Sequence, residues 1–245
     1  MAVLGSALGL RCTVRALPLA RSRRAGWLTL GAVAIGSGIW TMHFIAMMGF
    51  TAHGVRIGYD ARITFASLAV AILVVGIGVF IVGYRGRTVP ALIGAGVITG
   101  LGVAAMHYLG MAGMRMPGHL TYAPVTVALS VAIAVVAATA ALWFAISVKG
   151  VGPALGASLI MGVAVCGMHY VGMAALSVHA HAHAGSATGQ SPTEILAPML
   201  IGPLVLMLFV GLIVGFDPMS RGEQRRRESG AAMDELGTPA WSHRR

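Results

Sequence analysis

Three histidines stand out, each bracketed by methionines: His43 in WTMHFIAMM, His107 in AAMHYLGM and His169 in CGMHYVGM. One methionine precedes each histidine (Met42, Met106, Met168), and another follows four positions on (Met47, Met111, Met173). On a helix, residues four apart lie about 40° apart around the axis and one turn along. His43 and Met47 therefore share a face, as do His107 with Met111 and His169 with Met173. The preceding methionines lie about 100° round, where they can support a neighbouring ligand. Imidazole suits copper, zinc and iron, whereas thioether sulfur selects soft ions, Cu(I) above all. Zinc prefers thiolate or carboxylate beside its imidazoles, so the repeated His–Met pair favours copper. Heme iron competes, since His/His and His/Met axial ligation are both feasible. Packing competes too, because methionine fills core gaps without any metal. The threefold recurrence favours a shared site, as ionisable groups inside a membrane are costly and usually functional.

These residues must be positioned by membrane helices. The 245 residues are 57% hydrophobic and only 10% charged, against about 25% charged in soluble chains. Residues 26–50, 63–82, 89–110, 125–148, 151–178 and 195–216 form six apolar stretches. About 20 residues at roughly 1.5 Å each cross a bilayer core. The expectation is an all-α polytopic helix bundle of six full spans, in contact with lipid. Residues 1–10 are apolar but half that length, which predicts a truncated first helix. Basic residues follow that stretch, which argues against a removable signal peptide.

The histidines stand 64 and 62 residues apart, and Gly36, Gly100 and Gly162 each precede one by seven positions. This self-similarity predicts three units of two helices at about 25–86, 87–149 and 150–216, after a first segment at 1–24. An even number of crossings per unit makes the repeats parallel, able to surround an axis along the membrane normal. Glycine-rich spans, with Gly96-x-x-x-Gly100 and Gly152-x-x-x-Gly156, let backbones approach closely.

The formal charge of +10 does not indicate nucleic acid, because of where it lies. Fourteen of the 17 Lys and Arg fall before the first full span, in the segments at Arg85, Arg87 and Lys149, and in the tail. Arg56, Arg62 and Arg115 fall on the other side. Basic residues in short loops stay cytoplasmic, so the majority marks the inside. The histidines are then near the outer ends of their helices, roughly 6–14 Å below the surface. The C-terminus is expected inside, with 217–245 a disordered tail. Cys12 and Cys166 lie on opposite sides of the membrane and cannot meet.

Weaker candidates remain. His179, His181 and His183 alternate in an extended tract able to collect Cu(II) or Zn(II), or form a solvated loop. Cys166 precedes His169 by three residues in one unit only, which points to packing. His53 and His119 read as loop residues. Phe44, Tyr108 and Tyr170 read as an interfacial belt, with shielding of the site as the alternative.

At GSGIWTMHFIAM, GLGVAAMHYLGM and GVAVCGMHYVGM the chain resembles the MHYT family, bacterial integral membrane sensor domains named for Met-His-Tyr-Thr. IGYDARITFASL and LTYAPVTVALS resemble its outer Tyr-Asp segments. The resemblance covers about residues 1–216. It implies copper held by His43, Met47, His107, Met111, His169 and Met173, supported by Met42, Met106 and Met168, and sensing of oxygen, carbon monoxide or nitric oxide. Many relatives continue into cyclic di-GMP synthesis or degradation domains. This chain reads instead as a stand-alone member acting through an unidentified cytoplasmic or membrane signalling partner, oligomerisation being open. The family's threonine is Ile45, Leu109 and Val171 here, and Ala123 replaces the second aspartate. No nucleophile constellation, phosphate loop or carboxylate pair appears, so no catalysis is expected. Heme-based electron transfer, copper transport or delivery, and a purely structural bundle are the competing functions.

Overall fold

A computed structural model of the chain describes residues 1–51, 57–148, 150–180 and 192–216. The helices are α1 (Ala2–Ala16), α2 (Arg21–Met48), α3 (Ala61–Arg85), α4 (Val89–Ala112), α5 (Pro124–Ser147), α6 (Val151–Ala174) and α7 (Pro192–Phe216). Six of them are long and apolar enough to cross a membrane, and α1, of 15 residues, is the shorter one. Helices suit this solvent because each satisfies its own backbone groups where no water can. Their ends carry local signals. Pro90 and Pro124 sit in the first turns of α4 and α5, where the missing N–H costs nothing. Gly86, at φ 72°, ends α3 with a backbone conformation that side chains disfavour.

The motif helices α2, α4 and α6 alternate with α3, α5 and α1. Helix α3 packs against α2 and α4, α5 against α4 and α6, and α1 against both α6 and α2. The first helix thus closes a ring of six. Helix α7, third return helix in sequence order, packs chiefly on α2 and touches α1. The repeated glycines show the same closure. A Cβ on Gly36 would lie 2.8 Å from the Ile72 backbone of α3, and one on Gly100 would strike Val135 of α5. On Gly162 it would meet Val3 of α1, 3.1 Å from its backbone nitrogen. Ile72, Val135 and Val3 are therefore equivalent under a pseudo-threefold operation. Trp40, fully buried, pins α2 to α3 by donating its indole N–H to the Ser67 hydroxyl at 2.9 Å and to the Thr64 carbonyl at 3.2 Å.

Two short antiparallel ladders cap the histidine-bearing end. β1 (Gly58–Tyr59) pairs with β2 (Met114–Arg115), and β3 (Gly118–Tyr122) with β4 (Leu176–Ala180). Each ties the end of one motif helix to the start of the helix before it. Asp60 caps α3 by accepting from the Arg62 and Ile63 N–H groups at 3.0 and 3.2 Å, and pairs with Arg115 at 2.8 Å. The Arg115 hydrogen bond, then that from Ile63, holds its carboxyl below the ordinary carboxylate range. At the opposite end, the Arg24 guanidinium donates to the carbonyls of Leu17, Leu19 and Gly83, locking the α1–α2 turn to the end of α3.

Backbone-to-backbone contact at the repeated glycines yields a prediction. Gly36→Ala should destabilise the bundle by about 1–3 kcal/mol through overpacking. Gly94→Ala, which meets nothing within 4 Å, should not. Thermal unfolding in detergent micelles compares the two.

Candidate metal centre

The alternating ring places one face of α2, α4 and α6 on a common axis, and each presents its histidine there. His43 Nδ1 lies 3.0 Å from His169 Nδ1 and 3.2 Å from His107 Nδ1. The three ring centroids are 4.9, 5.0 and 5.2 Å apart, with the rings nearly perpendicular to one another. Each histidine is 1% exposed. Among the described residues they form the one group of His, Cys, Asp or Glu that could hold an ion, and Cys166 is not in it.

Their outer nitrogens explain a feature the sequence left unread. A Cβ on Gly110 would lie 2.6 Å from His43 Nε2, and one on Gly172 would lie 2.5 Å from His107 Nε2. Each glycine follows its own helix's histidine by three positions, so the imidazole of one repeat rests on the bare backbone of the next. The first unit carries Ala46 at this position. Both Nε2 atoms are buried without a hydrogen-bond partner among the described residues. No assignment of neutral tautomers removes that deficit. If His43 Nδ1 accepts from both neighbours, its Nε2–H has no acceptor, while His107 Nε2 keeps an unused lone pair. A cation at the centre would take up all three Nδ1 lone pairs together and fix the proton of each ring on Nε2.

The spacing fits such an ion. With metal–nitrogen bonds of about 2.0 Å, imidazole nitrogens around one tetrahedral or trigonal ion stand about 3.3–3.5 Å apart. The observed separations need to widen by only a few tenths of an ångström. Met47 and Met111 are buried on the same helices and Met173 is half-buried, while Met42, Met106 and Met168 are buried one residue before the histidines.

Aromatic neighbours divide differently from a simple belt. Phe44 is fully buried, edge-on to His43 at 4.7 Å and to Tyr59 at 6.2 Å, and so shields the site. Tyr108 shares a 2.6 Å hydrogen bond with Ser130 and sits edge-on to Tyr122. Tyr170 is 64% exposed. His119 is not in a loop: it lies in β3 opposite His179, rings stacked at 4.9 Å, and His179 Nε2 is 3.0 Å from the Thr121 hydroxyl. His53, His181 and His183 lie outside the described residues.

Fold and site together define a polytopic membrane helix bundle built on three parallel repeats around a buried histidine trio. The profile of the MHYT family, described as a bacterial signalling protein N-terminal repeat, matches residues 36–95 and 100–158. The chain belongs to that family. The profile covers His43 and His107, while the geometry supplies the third unit at Gly162 and His169. The chain is 36% identical over 220 residues to the bifunctional diguanylate cyclase/cyclic di-GMP phosphodiesterase MucR of Pseudomonas aeruginosa, covering 87% of this chain and 32% of that protein. It is 41% identical over 157 residues to the cyclic di-GMP phosphodiesterase NbdA of the same organism, covering 61% of this chain and 20% of NbdA. The signaling protein YkoW of Bacillus subtilis is 29% identical over 160 residues, covering 62% of this chain and 20% of YkoW. The chain thus spans between a fifth and a third of these relatives. No solved structure matches it.

If Gly110 seats the His43 ring, adding one methyl should disturb ion binding. Gly110→Ala should weaken Cu(I) affinity by about 10–100-fold, as loss of outer-shell support does. Gly167→Ala, with nothing within 4 Å, should leave affinity unchanged. Competition titration against a Cu(I) chelator measures both.

Proposed function

We propose that this domain holds one copper ion among His43, His107 and His169 and senses a diatomic gas, oxygen, carbon monoxide or nitric oxide, or the redox state of its surroundings. The observation that carries this is the convergence of three buried Nδ1 atoms with no carboxylate beside them among the described residues. Desolvation grows with the square of charge, so a divalent ion in this neutral donor set costs about four times as much as Cu(I). The thioethers of Met47, Met111 and Met173 favour the same soft ion. When bound, Cu(I) would supply a soft Lewis acid able to take up a small π-acceptor or to exchange an electron.

Membrane topology supports the direction of sensing. The basic residues at the end opposite the histidines support a cytoplasmic side for that end and for the C-terminus. The metal centre then faces outward beneath the two ladders. Its output is a shift of the motif helices read by a cytoplasmic or membrane partner. The names of MucR and NbdA support cyclic di-GMP turnover as the process controlled.

Heme draws no support from this geometry. Axial nitrogens on opposite faces of one iron stand about 4 Å apart with a macrocycle between them, whereas these lie 3.0 and 3.2 Å apart. Copper delivery is the second reading, favoured by the stacked His119 and His179 at the same end. A vesicle flux assay separates it from sensing.

Elemental analysis of purified protein tests the proposal. Wild type should carry one copper per chain; His43→Ala, His107→Ala and His169→Ala should each lose most of it. Copper content unchanged in all three variants would reject the site.

A further inference from the structure

Directly beneath the histidine trio lies a cavity of about 50 Å³, on a scale where one water takes about 10–15 Å³. Its lining follows the repeat. Ile39, Val103 and Val165 stand four residues before the three histidines; Ile35, Thr99 and Met161 stand eight before them. Residues four and eight apart share a helix face, so these rings lie about 6 and 12 Å below the trio on the same axis. Val75 of α3, Ala138 of α5 and Ser6 of α1 also line it. Each lies three residues after Ile72, Val135 and Val3, the contacts of the repeated glycines, and so occupies the equivalent place in its helix. The void exists because α5 offers alanines at 134, 138 and 141, where a larger side chain would fill the axis.

We propose that this axial cavity binds one small apolar molecule the size of dioxygen or carbon monoxide. A water there would need two to four polar partners. Among the described lining residues only Ser6 and Thr99 carry hydroxyls, and Thr99 directs its own toward the Val74 carbonyl at 3.4 Å. Apolar walls without an occupant forfeit dispersion contacts, so an apolar guest gains them. The volume excludes drug-sized ligands, whose pockets run to about 300–1,000 Å³. Met168, adjacent to His169, lines the cavity and links it to the turn bearing the histidine. This role rests on the copper-sensor reading only for its purpose: the cavity would store the sensed gas next to the ion.

Xenon is the probe, applied to metal-free protein in nanodiscs with methyl-labelled isoleucine and valine. Saturable shifts are expected at the methyls of Ile39, Val75, Val103 and Val165. Ala138→Leu, which fills the axis, should weaken xenon binding by about tenfold while leaving copper content unchanged. Ala138→Val, which copies the side chain of Val75, should weaken it less and serves if the larger variant does not fold. Non-saturable shifts confined to lipid-facing Val136 and Val163, or no shift at the axial methyls, would overturn the proposal. Copper binding without xenon binding would remove the gas cavity alone; xenon binding without copper would remove the metal reading alone.

Discussion

Three imidazoles meeting in the buried centre of a membrane helix bundle is the constraint on which this structure depends. Among the described residues no carboxylate joins them, and two of their outer nitrogens have no partner. Such a cluster persists only where the surrounding helices leave the rings no alternative. The helices do so by approaching through glycine: Gly36, Gly100 and Gly162 bring each motif helix against its neighbour, and Gly110 and Gly172 give the rings a bare backbone to rest on. Association in lipid lacks a hydrophobic drive and relies on such close packing. Site and scaffold are therefore one design, since the small residues that hold the helices together also set the distance between imidazoles.

Much of this was legible in the sequence because it is written in one dimension. Length and polarity fix the spans, and a histidine recurring every 62–64 residues announces parallel units. Shared depth of the three motifs follows from counting residues. Convergence on one axis requires only that the repeats close. The manner of closure was not legible. Helix α1 is short and carries no motif, yet it fills the gap between α6 and α2, because its Val3 can meet Gly162 as Val135 meets Gly100. Nothing local in α7 announces that it will sit on α2.

Other features escaped for the same reason, that they exist only between distant segments. His119 reads as an isolated loop residue until β3 pairs with β4 and sets it opposite His179. Phe44 looks like Tyr108 and Tyr170 in alignment, but only Phe44 is fully buried, edge-on to His43. The axial cavity was readable as an i−4, i−8 series, but only once the axis was known. Which ring nitrogen faces the centre had no sequence signal. Side-chain direction in a helix depends on rotamer and neighbour, not on spacing.

That last point gives the sharpest measurement. Nitrogen-15 NMR of histidine-labelled protein in nanodiscs, titrated with Cu(I), reports which nitrogen of each imidazole binds. Shifts at Nδ1 of His43, His107 and His169 together, complete at one equivalent, are the predicted result. Shifts at Nε2, at the surface histidines instead, or at the three sites with separate stoichiometries would mean that the imidazoles do not share an ion.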